Sequence, residues 1–121
     1  MKLKQKDFEY FKKECKKWID RLGLYDWEVY YLFGGLDENN GGGCWANYTG
    51  CQATIKLNPI FDDDNLMTKE HYLKVTALHE ILELTLMPIQ ILAESREFDG
   101  MEFEHQRHRI IQRLTNLLEE K

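Results

Sequence analysis

The sequence predicts an α+β fold in which helices pack on one side of a small antiparallel sheet of about three strands. Three patterns lead there. Apolar residues recur at helical spacing near both ends of the chain. Between residues 27 and 57 the repeat changes to the alternation of strands. From Val75 to Met87 the chain is almost wholly apolar, interrupted by His79, Glu80 and Glu83. With 121 residues it suits one core, and residues 1–121 are read as a single domain.

At the N-terminus, Phe8, Phe11, Cys15, Trp18, Ile19 and Leu22 mark a helix over about 8–22, with Asp7 as its N-cap and Gly23 as its C-terminal stop. The run from Trp27 to Phe33 is aromatic and β-branched, and reads as a strand. The segment from Gly34 to Gly43 is a glycine-rich loop; it has no phosphate-binding lysine motif and is taken as a connection. Residues 44–57 alternate as a hairpin turning at Thr49–Gly50, which places Cys44, Ala46, Ala53, Ile55 and Leu57 on one face. Trp45, Asn47, Gln52, Thr54 and Lys56 take the other face. Asp62, Asp63 and Asp64 lack the spacing of a calcium loop and read as solvated. Thr68 caps a helix that is apolar all round, hence buried, and that Pro88 should stop. Asp99 and Glu102 have capping-box spacing before a last helix carrying Phe103, Ile110, Ile111, Leu114, Leu117 and Leu118.

A composition of 43% hydrophobic and 31% charged residues is that of a globular protein and argues against disorder. The net charge of −5 makes nucleic acid an unexpected partner, since phosphate binding needs a concentrated basic surface. The lysines are nonetheless concentrated at the N-terminus, where Lys12, Lys13, Lys16 and Lys17 form either a solvated helix face or a docking surface. Cys15, Cys44 and Cys51 make no CxxC pair and no even framework, so a reducing compartment is expected and all three read as thiols. With no signal-peptide pattern and no uninterrupted apolar run of membrane length, the expected location is the cytoplasm, with no membrane partner.

The chemistry is concentrated in His79-Glu80-Ile81-Leu82-Glu83. His79 and Glu83 lie about 40° apart on one helical stripe, the arrangement two metal ligands one turn apart require. Glu80, next to the first of them, stands where a general base for an activated water belongs. On the last helix Glu104, His105 and His108 offer further donors. Measured from Leu114 as the centre of the core face, Glu104 falls about 80° away, His108 about 120° and His105 about 180°. The expected ligand set is therefore His79, Glu83 and Glu104, with His108 as a fourth ligand or an orienting group, while His105 faces solvent or a partner.

This pattern resembles the His-Glu-x-x-His signature of zincin metallopeptidases. Its setting is similar to small metallopeptidase-type proteins of phages and prophages, and to the minimal core of SprT-like and gluzincin-type proteases. The resemblance in order of elements spans roughly residues 8–118, and it implies a minimal zincin-like fold, a zinc ion, Glu80 as catalytic base and an edge strand that binds extended peptide. It also implies that Trp45, Asn47 or Gln52 lines the substrate strand and, for a phage protein, a host-cytoplasmic location. Position 83 departs from the family by holding Glu where the second His belongs. A carboxylate there still binds zinc and also suits iron or manganese, but it makes the activated water less acidic.

Two functional classes follow. One is a metal-dependent peptidase acting on a peptide or protein substrate. The other is an inactive zincin-like protein that binds a protein partner through the lysine-rich face. The plainer alternative for the motif itself is a buried helix whose His and Glu residues bond to the sheet, Arg107 or Arg109.

Overall fold

The structure is a computed structural model that describes residues 2–34, 41–47, 50–60, 68–94 and 100–119. The described residues form α1 (Gln5–Leu22), β1 (Glu28–Phe33), β2 (Gly42–Asn47), β3 (Gln52–Leu57), α2 (Lys69–Glu94) and α3 (Gly100–Glu119). The fold class is α+β, as expected.

α1 begins one turn earlier than its apolar pattern suggests. Lys4 is the N-cap, and Asp7 sits inside the first turn, where its carboxylate accepts the Lys4 backbone N–H at 2.8 Å. The acid thus serves the helix start from within, where the positive end of the helix dipole favours it. Gly23 ends α1 in the left-handed conformation, with φ of 68°, a conformation that costs a residue with a Cβ more than glycine.

The sheet differs from expectation in one pairing. Its order is β1-β3-β2, with β2 antiparallel to β3 and β1 parallel to β3, so the sheet is mixed. The hairpin register is the expected one: Cys44 stands opposite Ile55 and Ala46 opposite Ala53. The expected turn residue Thr49 lies outside the described residues, as does Asp99 of the expected capping box. Trp27, Ala53, Ile55 and Leu57 join Phe8, Phe11, Cys15, Leu22, Leu73, Ala77, Ile81 and Leu84 in one core. Phe8 of α1 stacks on Phe33 of β1 with ring centroids 5.0 Å apart, which fixes α1 over that edge of the sheet.

Thr68 caps α2 as expected, accepting the His71 backbone N–H at 3.2 Å. Two other expectations for this helix are overturned. Pro88 does not stop it: the helix runs on to Glu94 with Pro88 buried inside it. Packing against the core outweighs the lost backbone hydrogen bond there. Nor is α2 buried all round. Leu73, Ala77, Glu80, Ile81, Leu84, Thr85 and Pro88 face inward, whereas Val75 and Leu86 are 41% and 53% exposed. A single sheet and two other helices are too little material to cover a 26-residue helix on every side. By length and composition α2 is apolar enough to cross a bilayer, yet it packs its inner side on this core.

The backbone of β2 lies unusually close to α2. A Cβ placed on Gly42 would come within 3.0 Å of Thr76 Cγ2, 3.2 Å of the Lys56 carbonyl oxygen and 3.4 Å of Glu80 Cγ. Gly42→Val should therefore push strand and helix apart and destabilise the protein by roughly 1–3 kcal/mol, the usual cost of overpacking. The check is the urea midpoint; an unchanged midpoint would show that the contact is slack.

Candidate metal site on the central helix

Glu80 projects from the inner side of α2, between Ala77, Ile81 and Leu84, toward the glycine-lined start of β2. It is 3% exposed, and its Oε2 has no hydrogen-bond partner among the described residues. A buried carboxylate oxygen without a donor is costly and calls for a proton or a cation. Burial chiefly, then the Glu83 charge and a hydrogen bond shared with Glu83, push the Glu80 carboxyl up to about 8. At neutral pH the metal-free pair therefore holds an extra proton on Glu80.

One turn along, His79 and Glu83 stand on the exposed side of the same helix, at 65% and 49% side-chain exposure. His79 Nε2 lies 3.3 Å from Glu83 Oε1 and 4.0 Å from Glu80 Oε1. One ligand atom from each of the three residues falls within 4.8 Å of the others. This group could hold a metal ion. An imidazole nitrogen and carboxylate oxygens are a donor set that zinc, iron and manganese all accept. The unpaired Glu80 oxygen is the feature that a cation would satisfy.

The structure does not bring the remaining expected ligands into this group. Glu104 is exposed on α3, and its carboxylate receives Arg107 Nη2 at 2.9 and 3.2 Å, with His108 Nε2 at 3.6 Å. The Arg107 hydrogen bond and charge hold the Glu104 carboxyl below the usual carboxylate range. Glu104 and His108 thus pair along their own helix at one-turn spacing. His105 is exposed beside Glu102, as the angular reading placed it. The arginines that the plainer alternative would use are engaged elsewhere, Arg107 with Glu104 and Arg109 with Asp26.

The cysteines are free thiols, and Cys15 is completely buried. Burial, followed by the Glu80 and Glu83 charges, pushes the Cys44 thiol up to about 12. Burial and the Glu80 charge likewise raise Cys15. Without a metal, both are therefore protonated packing groups beside the acid pair. Their closeness to Glu80 was hidden from the sequence, because three different elements carry the three residues. Trp45, Asn47 and Gln52 sit on the outer face of the sheet, opposite Cys44 and Ala46, and so on the side away from α2.

Of the expected docking lysines, Lys12, Lys16 and Lys17 have local partners. Lys12 pairs with Glu9 at 3.0 Å and Lys17 with Glu14 at 2.7 Å. Lys16 lies over Tyr31, while Lys17 and Arg21 lie over Trp18. No protein-family model matches the chain, and no curated protein or solved structure matches it.

Proposed function

We propose that the protein is a divalent-metal-dependent peptidase of zincin type with an altered motif, in which His79 and Glu83 hold the ion and Glu80 is the base. The carrying observation is that donor atoms of His79, Glu80 and Glu83 lie within 4.8 Å of one another, and that Glu80 is buried with its Oε2 lacking a hydrogen-bond partner among the described residues. A bound zinc ion would supply Lewis acidity, polarising a substrate carbonyl and making water a better nucleophile. Glu80, held ionised by the charge of a cation beside it, would take the proton from that water and hand it to the leaving amine. β2 is an edge strand beside α2, and its free backbone groups can pair with an extended peptide substrate.

A second reading, a metal-binding or metal-free module that docks a protein, draws on the exposed Val75 and Leu86 of α2 and Met101 and Leu118 of α3. Metal analysis of untagged protein separates the two. The peptidase reading predicts stoichiometric zinc in the wild type and loss of most of it in Glu83→Ala. Glu80→Gln should keep the ion and lose peptide cleavage by a factor on the order of 10²–10⁴. Absence of metal under every reconstitution would sink the reading, and unchanged cleavage in Glu80→Gln would remove Glu80 as base.

A further inference from the structure

The outer face of the sheet, away from the metal group, carries exposed aromatic and amide side chains. The register sets Tyr30 of β1, Thr54 of β3 and Trp45 of β2 in one row across the strands. Gln52 and Asn47 occupy the adjacent row. Both aromatic side chains are 49% exposed although each could have been buried on the other face by a one-residue shift of register. The five side chains, with Ala46, line a cleft of about 430 Å³. The depression is shallow and open to solvent over most of its extent.

The cleft's walls are held in place from outside it. Lys56 does not line the cleft; its ammonium sits 4.4 Å from the centre of the Trp45 ring. The Tyr30 hydroxyl donates to the Glu28 carboxylate. The strands that bear the two rings are separated by β3, so the walls rise about 10 Å apart at the backbone.

The floor indicates the ligand's chemistry. Among the described residues, the Gln52 amide, the Thr54 hydroxyl and the Asn47 Nδ2 carry no internal hydrogen bond, while Asn47 Oδ1 accepts the Gly50 N–H at 3.2 Å. Amides and a hydroxyl both donate and accept, which matches vicinal hydroxyl groups. Among the described residues, no ionised side chain lines the cleft. With Glu28 at one corner and Lys56 at the other, the surroundings cancel and favour a neutral ligand. A nucleic acid would need a basic track that this face lacks.

We propose that this cleft binds a neutral pyranose ring, its C–H faces against Tyr30 and Trp45 and its hydroxyls on Asn47, Gln52 and Thr54. The test is titration of the full chain, with chelator present, by maltotriose, cellotriose and triacetylchitotriose at millimolar concentrations, followed by ¹H–¹⁵N NMR. At least one sugar should saturably shift the Trp45 indole N–H and the Gln52 and Asn47 side-chain amides. Trp45→Ala and Gln52→Ala should each weaken that binding about tenfold or more, with well-dispersed spectra retained. Gln52 is exposed, so its variant reports on the site even if Trp45→Ala perturbs the sheet. No saturable shift with any of the three sugars would overturn the proposal. So would undiminished binding in the variants, or tighter occupation of the same residues by a proline-rich peptide or oligothymidine. The chelator keeps any of these outcomes separate from the fate of the metal reading.

Discussion

Glu80→Gln should stabilise the metal-free protein above pH 8 by an amount on the order of a few kcal/mol, and change it little near pH 4.5. The sign follows from where the proton resides. In the folded protein the Glu80 carboxyl keeps its proton up to about pH 8, whereas in the unfolded chain it ionises near 4.5. Between those values the folded state binds more protons, so stability is fully present below 4.5 and is lost as pH rises through 8. Glutamine has the same shape and never ionises, so the variant loses this slope. Urea unfolding at several pH values in the presence of chelator measures it. Parallel profiles for wild type and variant would show that another group carries the pH dependence. Saturating zinc should narrow the difference, because a cation held by His79 and Glu83 stabilises the ionised Glu80 carboxylate of the wild type and gives the neutral amide nothing comparable. If zinc leaves the difference unchanged, no cation sits beside Glu80 and the His79–Glu80–Glu83 group is an acid pair alone.

Much of this arrangement was legible in the sequence where local chemistry decides it. Period-3.6 spacing located α1 and α3, alternation located the strands, and the face shared by Cys44, Ala46, Ala53, Ile55 and Leu57 emerged because a one-residue slip would invert it. The pairing of β1 was not legible. Once β2 and β3 form a hairpin, β1 can join either outer edge, and it lies against β3, parallel, through contacts distant in sequence. The environment of His79 was misjudged for a related reason. Apolar composition around α2 was read as complete burial, but the rest of the chain covers only its inner side, which buries Glu80 and exposes His79 and Glu83. The third ligand shows the same limit. Helical angles place Glu104 on a flank, and only the tilt and depth of α3 decide whether that flank meets α2. In the structure Glu104 is nearer to Arg107, a partner one turn away that costs little chain entropy to hold.

The seating of α3 depends on one carboxylate, and removing it should have a large effect. Asp26, in the turn before β1, accepts Arg109 Nη2 at 2.6 Å and Arg113 Nη2 at 2.9 Å. Arg113 is only 8% exposed and, with Gln106 and Ile110, makes up the buried side of α3 among the described residues. Burial works to raise the Asp26 carboxyl, but the Arg109 hydrogen bond and the Arg113 charge outweigh it and hold the group below its ordinary value. Asp26→Ala leaves a buried guanidinium without its partner. Breaking a fully buried pair costs about 3–5 kcal/mol; with Asp26 about a third exposed and screened by water, roughly 2 kcal/mol is expected here. Arg109→Ala should cost less, since that side chain is more exposed than Arg113. The loss should also be local. Hydrogen exchange in Asp26→Ala should show α3 amides losing protection well before those of α1 and α2, because few buried groups hold α3 down. The pH dependence runs opposite to that of Glu80. A depressed carboxyl contributes stability that is present above its unfolded value of 3.8 and is lost as pH falls through its folded value. Acid should thus release α3 first, while the protonated Glu80 still suits the core beneath α2. Uniform loss of protection across all three helices in Asp26→Ala would show instead that α3 is integral to the core.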